Sequence, residues 1–411
     1  MRYIKKPLPQ TEAGEEEARQ AVAEILKDVK GRGDEAVSFY TKKFDGIETG
    51  KFEVGKKEVK EAYGKVDSKT VKSMEEAAAN IKSFAKKQFS MMKGFEIKKN
   101  GIILGQKIVP IERVGCYVPG GRYPLPSTAL MCVIPAKVAG VKEIIVCSPK
   151  IQPATIVAAD IAGADRIFSV GGAQAIAAMA YGTKTIPKVD KIVGPGNKFV
   201  AAAKKEVYGA TGIDFIAGPS EVLIIADESA NPEFVAADLL AQAEHDPSAR
   251  PNLIVFSEKT AEKIMNEVSR QLKSLSTRDT AEKALENGAI ILAGSLNEAA
   301  EIANEIAPEH LELQVKKPEP LISKLRNYGS LFIGEYSAEV FGDYCSGTNH
   351  ALPTNGAARY TGGLSVKDFV KALTYQKISA KGAKKLIPIA SRLAEAEGLE
   401  AHKKAAELRK N

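Results

Sequence analysis

Histidine is scarce in this chain: four in 411 residues, at positions 245, 310, 350 and 402. Cysteine is as scarce, at 116, 132, 147 and 345. No two cysteines have CxxC spacing, which argues against a cysteine-built zinc site. Cys132 and Cys147 lie in apolar runs and read as core thiols. Cys116 and Cys345 lie in loop-like, glycine-containing segments, but neither has an adjacent base to make it a nucleophile. Four free thiols fit a reducing compartment. The N-terminal MRYIKKPLPQTEAGEEE has no apolar signal region and no apolar run is long enough to span a bilayer, so the expected location is cytoplasmic, with no membrane partner. Charge of neither sign dominates. With 58 Lys+Arg against 51 Asp+Glu the net charge is +7, spread along the chain; it can attract an anionic cofactor but gives no ground for a nucleic-acid partner. The GxGxxG and P-loop patterns are also absent, so a dinucleotide held in the standard Rossmann manner is not signalled.

What is present reads as a globular α/β protein. A hydrophobic fraction of 44% with 27% charged residues is ordinary for that class, and the length suits two or three domains. Ala18, Ala21, Val22, Ile25, Leu26 and Val29 recur at helical spacing, with a start at Thr11 and a stop at Gly31 and Gly33. A second long helical stretch covers roughly 56–88. From about residue 110 short β-rich runs at 114–118, 143–148, 166–170, 191–194 and 214–217 alternate with helical stretches such as 127–138 and 174–181. A second series follows: strands at 221–227, 252–257, 288–293 and 330–335, and helices at 232–243, 260–272, 297–306 and 319–326. The expected fold is α/β: two doubly wound, mostly parallel-sheet (Rossmann-like) domains with helical N- and C-terminal extensions. GPSE at 218–221 is the hinge. The N-terminal helices are expected to pack with the second series, giving a discontinuous domain of residues 1–112 plus 222–362 around a domain of residues 113–221. Residues 363–411 are expected to form a helical segment, short for a domain and able to embrace a second subunit.

Glycine-rich turns fall at the carboxyl ends of the first series, where open parallel sheets bind ligands. They are CYVPGGRYPLPST, SVGGAQAI and VGPGNKF, and they carry Tyr117, Gln174 and Asn197. Each alone is a tight strand-to-helix turn; three in one domain point to a ligand. Every histidine has an amide or carboxylate nearby. Gln242 and His245 lie three apart near a helix end and can face the same way. Alone they are ordinary surface or capping residues. A metal site needs further donors, which Asp343 and His402 could supply, and such a mixed N/O set suits zinc. Pro308 should force Ala307 into an extended conformation, break the helix and present Glu309 and His310 at a turn, as a proton-handling pair.

The segments GCYVPGGRYPLPSTALM, VGGAQAIAA, VGPGNKFV, GPSEVLIIAD, LLAQAEHDP, APEHLEL, GDYCSGTNHALPT and EGLEAHKKA, in this order, resemble the histidinol dehydrogenase family over nearly the whole chain. The resemblance implies an NAD-dependent, four-electron oxidation of L-histidinol to L-histidine via histidinaldehyde, the last step of histidine biosynthesis. It implies one Zn2+ per subunit, on Gln242, His245, Asp343 and His402, and NAD as co-substrate, contacted by Tyr117, Gln174 and Asn197. Glu309 and His310 would transfer protons. Ser220, His350 and Glu397 would contact substrate, together with Gln242, His245, His310, Asp343 and His402. It further implies a homodimer with shared sites, in which Glu397 and His402 come from the partner. Competing readings are a related zinc and NAD alcohol dehydrogenase for another amino or sulfonated alcohol, a zinc hydrolase, and a nucleotide-binding or metal-storage module.

Overall fold

The computed structural model describes residues 2–8, 15–48, 50–120 and 123–410. Thr11, and Gly121 and Arg122 of the first glycine turn, lie outside them. The chain opens with strand β1 (Arg2–Lys5) and four helices, α1 (Glu15–Arg32), α2 (Asp34–Asp45), α3 (Lys56–Tyr63) and α4 (Ser68–Ser90). The helical stretch expected at 56–88 is thus two helices. Asp67 caps the second by accepting the Thr70 N–H, and this local bond restarts the helix after Gly64. A hairpin not expected from the sequence follows, β2 (Phe95–Lys99) and β3 (Ile102–Pro110).

The first α/β series is β4 (Arg113–Tyr117), α5 (Pro126–Ala139), β5 (Glu143–Cys147), α6 (Pro153–Ala162), β6 (Arg166–Phe168), α7 (Gly172–Tyr181), β7 (Lys191–Val193), α8 (Lys198–Val207) and β8 (Gly212–Ile213). Cys116 therefore lies in a buried strand rather than a loop. The last strand ends before the 214–217 run expected to form it. The second series is β9 (Glu221–Ala226), α9 (Pro232–Ala243), β10 (Arg250–Val255), α10 (Glu258–Leu272), α11 (Arg278–Asn287), β11 (Ile290–Leu292), α12 (Leu296–Ile306), β12 (His310–Gln314), α13 (Glu319–Ile322) and β13 (Ser330–Ile333). The chain closes with α14 (Glu339–Tyr344), β14 (Val370–Ile378), α15 (Ala380–Ala396) and α16 (Glu400–Glu407).

Each series makes one parallel sheet with the same winding. The first runs β6-β5-β4-β7-β8 and the second β11-β10-β9-β12-β13, so each starts in the middle, grows to one side, then returns to the other. This is the doubly wound order, with a crevice where the direction reverses. β1 adds an antiparallel edge to the second sheet by pairing with β11.

The N-terminal helices cover the first sheet, not the second. Val22, Ile25, Leu26, Val29, Val37 and Tyr40 pack with Ile176, Val200 and Ala203, while Met74, Ala77, Ile81 and Ala85 pack with Leu130, Val133 and Val157. The reason lies in α5 and α7. Every residue from Ser127 to Ala136, and from Ala173 to Ala180, is buried. A helix that is apolar all round needs cover on its outer side too. The stripes of α1 and α4 supply it, as a second helical layer.

The C-terminal region also departs from expectation. SVKDFVKALTYQKIS is not helical: after a short turn (Val366–Phe369) it forms β14, paired with β3 over nine residues. Val370, Leu373, Tyr375 and Ile378 mark an extended segment once a partner strand exists. Tyr375 lies across Gly105, where a Cβ would sit 2.2 Å from its ring. The resulting three-stranded antiparallel sheet, β14-β3-β2, carries α15 and α16 beyond it. Among the described residues no helix is long and apolar enough to cross a membrane.

Candidate active site

The head of β12 organises the site. Ala307 ends α12 in the left-handed region (φ 52°, ψ 60°), not in the extended conformation expected from Pro308. Its N–H still closes the helix on the Ala303 carbonyl, at 2.8 Å. The chain then turns straight into β12, so Glu309 and His310 lie at the mouth of a central strand rather than in a surface turn. His310 pairs across to Val222 on one side and Ser330 on the other. The pair therefore enters at the amino edge of this sheet, opposite to the carboxyl-edge position of the glycine turns in the first.

β12 reads HLELQ and splits by its period of two. Leu311 and Leu313 enter the core between the second sheet and α12, while His310, Glu312 and Gln314 share the opposite face and are all buried. Carboxylates crowd the imidazole. His310 Nδ1 lies 3.4 Å from Glu339 and 3.8 Å from Glu309, and it also meets the Glu221 carbonyl at 3.3 Å. Nε2 lies 3.6 Å from Asp343. Glu339 and Asp343 are one helical turn apart on α14, so one short helix delivers both. No side chain of its own N-cap closes α14; Glu312 Oε1 instead accepts the Glu339 N–H at 3.0 Å, and the Asp238 carboxyl on α9 neighbours Glu312. Glu309 Oε2 accepts the Glu221 N–H at 3.0 Å.

Burial and crowding move these groups. Burial pushes both Glu309 and Glu339 up to about 8, against the pull of His310. Burial likewise raises Asp238 and Glu221 to about 6, and it takes Glu312 well above the carboxylate range, with Asp238 and Glu339 reinforcing it. Burial opposes charge on His310, but Glu339, Glu309 and Asp343 outweigh it and raise its pKa well above the usual value. Asp343 is lowered: burial works against it, and His310 overcomes that. His350 is lowered by burial; its Nδ1 donates to the Asp343 carbonyl at 2.8 Å, which leaves Nε2 to face the Thr128 hydroxyl at 3.2 Å. His350 thus spans from the second series to α5 of the first.

The expected metal donors fall into two groups. Gln242, near the end of α9, is fully buried, and neither side-chain atom has a hydrogen-bond partner. α14 packs on the same helix. His245 lies in the exposed turn after α9, which ends at Ala243, yet its ring acts on Asp343. Glu397 and His402 are exposed on the C-terminal arm, where α16 packs on α15 and the last turn. Among the described residues, the imidazole and carboxylate donors close enough to share an ion are His310, Glu339 and Asp343. A cation fits this environment. It would relieve several buried acids around one imidazole and give the orphaned amide of Gln242 a partner. Glu339, Glu312, Asp238 and Glu221 were missed by sequence reasoning; for Glu312 alone the alternation of HLELQ, which puts it on the same face as His310, was a readable signal.

On the first sheet the three glycine turns converge. The Tyr117 hydroxyl accepts the Gly172 N–H at 3.1 Å. Gln174, one turn into α7, is buried with its Oε1 unpartnered. Asn197 is exposed and caps α8 by accepting the Phe199 and Val200 N–H groups, both at 3.1 Å. Glycines let two of these turns press directly on Pro149: a Cβ on Gly120 would meet its carbonyl oxygen at 2.8 Å, and one on Gly171 its Cβ at 2.2 Å. An unpartnered buried amide beside a bare backbone cradle fits a polar cofactor such as a dinucleotide. Ser220 is half-buried at the junction, where its carbonyl accepts the Arg250 N–H.

The sequence model of the histidinol dehydrogenases matches residues 8–410. The chain belongs to the histidinol dehydrogenase family. It is 53% identical over 405 residues to the histidinol dehydrogenase of Methanocaldococcus jannaschii, covering 97% of this chain and 94% of that one. To the enzyme of Aquifex aeolicus it is 51% identical over 400 residues, covering 97% and 93%. The crystal structure of histidinol dehydrogenase from Elizabethkingia anophelis superposes with a TM-score of 0.92 at 40% identity, covering 99% of this chain and 94% of that one. As a member of the histidinol dehydrogenases the protein is an enzyme, an NAD-dependent oxidoreductase of amino-acid biosynthesis. Its buried His, Glu and Asp cluster can hold a metal ion.

Proposed function

We propose that the protein oxidises L-histidinol to L-histidine through histidinaldehyde, using two NAD+ in succession and one zinc ion per subunit. The observation that carries this reading is the buried Glu309–His310 pair set against Asp343 and the unpartnered Gln242. Gln242, His245, Asp343 and, from the partner chain, His402 would hold the zinc. Bound there, the ion would anchor the imidazole and amine of the substrate as an orienting Lewis acid. Tyr117, Gln174 and Asn197 would contact NAD+, the hydride acceptor. Ser220, His350 and the partner chain's Glu397 would complete the substrate contacts.

His310 takes the hydroxyl proton as hydride leaves the carbon. Glu309 then removes a proton from the water that attacks the aldehyde carbon. His310 acts again when the hydrate loses its second hydride. Its Nε2, unpartnered and on the Asp343 side, is the free edge for this work. Both residues must be unprotonated to act as bases. A neighbouring cation favours that form by opposing the crowded negative charge.

We take residues 113–221 as the dinucleotide unit, residues 222–362 as the catalytic unit and residues 363–411 as a dimerisation segment. Exposed apolar side chains support a covered surface there: Phe95, Ile97, Leu104 and Leu373 on the small sheet, and Ile389, Leu393 and Leu408 on the arm. The buried thiols of Cys116, Cys132 and Cys147 support a reducing cytoplasm.

The test is an assay of purified protein with L-histidinol and NAD+, with and without a chelator. Two NADH form per histidinol, and chelation abolishes the signal. Hydrolysis without nicotinamide reduction, or faster turnover of another amino alcohol, would overturn the reading.

A further inference from the structure

An ion pair that the mechanism does not use lies behind the third glycine turn. Lys204 on α8 and Asp214 just beyond β8 are in direct contact, and their side chains are 2% and 1% exposed. In the next most enclosed pairs of this kind, Lys191–Asp368 and Arg250–Glu221, the cation is 14% and 19% exposed. Lys204 and Asp214 grip one residue from both sides. Lys204 Nζ donates to the Gly194 carbonyl at 2.9 Å, and Asp214 Oδ2 accepts the Gly194 N–H at 2.8 Å. Gly194 itself has φ 113°, and a Cβ there would lie 2.1 Å from the Tyr117 carbonyl oxygen. The backbone at this point is pressed against the first turn, has no side chain to anchor it, and leads through Pro195 and Gly196 to Asn197.

Burying two charges is expensive, and an apolar pair of similar volume usually stabilises a fold as well or better. An apolar pair cannot satisfy both the donor and the acceptor of one peptide residue. The specific product of this ion pair is the conformation of Gly194. We propose that Lys204 and Asp214 are positioning residues for the dinucleotide, holding residues 194–197 in the binding shape before the ligand arrives. The proposal rests on the reading of residues 113–221 as the NAD+ unit. It extends that reading from the three residues at the surface of the cradle to the buried pair that fixes its form.

The experiment uses the full-length, zinc-loaded protein and NAD+ as the probe. Lys204→Met with Asp214→Asn removes both charges and the grip on the carbonyl, while the new amide oxygen can still accept the Gly194 N–H. Lys204→Met with Asp214→Leu removes both grips. Direct titration should show NAD+ binding weakened about tenfold in the first variant and more in the second. L-histidinol binding without NAD+, zinc content, and kcat at saturating NAD+ should stay near the parent values. Amide exchange at residues 194–200 should quicken in step. Unchanged NAD+ affinity in a folded variant overturns the proposal, as does a parallel loss of NAD+, histidinol and zinc binding. Should neither variant fold, exchange in the parent protein decides: the Gly194 N–H is already protected without NAD+ if the pair holds it, and rapid exchange there refutes the idea. Failure of the parent protein to bind NAD+ would instead overturn the reading on which the proposal rests.

Discussion

At the scale of single residues, the site depends on one imidazole held among acids. His310→Asn keeps the shape but cannot act as a base; turnover should fall by about 10²- to 10⁴-fold, with zinc content by metal analysis unchanged. Glu309→Gln should spare the first hydride transfer and slow the second, so that single-turnover kinetics release one NADH quickly and the other slowly. Equal slowing of both would contradict the division of roles. The metal-free cluster also has a proton count. Burial pushes Glu309 and Glu339 up to about 8, and the acids around His310 raise it as well, so the cluster shares bound protons near neutral pH. A cation favours the deprotonated forms, and zinc addition should therefore release protons, on the order of one per site. An indicator dye in weak buffer measures this; a Glu339→Gln variant should release fewer. Glu309 and His310 were legible in the sequence as an adjacent acid and imidazole. Glu339 was not, because nothing local separates a buried acid from the many solvated ones, and Glu312 was legible only through its alternation with Leu311 and Leu313.

At the scale of elements, α14 is the part most exposed to perturbation. It is six residues long, it carries both Glu339 and Asp343, and its first N–H is satisfied from another element by Glu312. Glu312→Leu leaves that N–H buried and unpaired, at a cost of roughly 1–3 kcal/mol. Zinc affinity, measured against a competing chelator, should drop about tenfold. Burial and the neighbouring acids push Glu312 toward its neutral form; Glu312→Gln keeps an oxygen to accept the Glu339 N–H and should behave almost like the parent. The elements of the two α/β series were readable from period and turn chemistry. β12 was not read, because Pro308 drew attention to a break and the strand that follows is five residues long. β14 was not read either, because its identity depends on β3, more than 250 residues earlier in the chain.

At the scale of the whole molecule, the twin winding of the sheets was anticipated, but the assignment of the N-terminal helices was not. That assignment is set by which core helices are apolar on every side, a property of three-dimensional layering rather than of any one segment. The shared-site dimer has its own test. His245→Asn and His402→Asn proteins should each be inactive. Mixed and reassociated, they should recover about a quarter of the parent activity, since half the dimers are mixed and each has one intact site. No recovery would place both histidines in one chain's site. The position of β12 has a last consequence. It is threaded between β9 and β13 with period-two alternation, so slipping by one residue would turn Leu311 and Leu313 toward α9 and send the imidazole into the greasy layer beneath. Molecules trapped in that mistake would keep their helices and strands and look native by circular dichroism. Refolding yield for this enzyme is therefore properly scored by turnover per molecule, not by spectroscopic recovery.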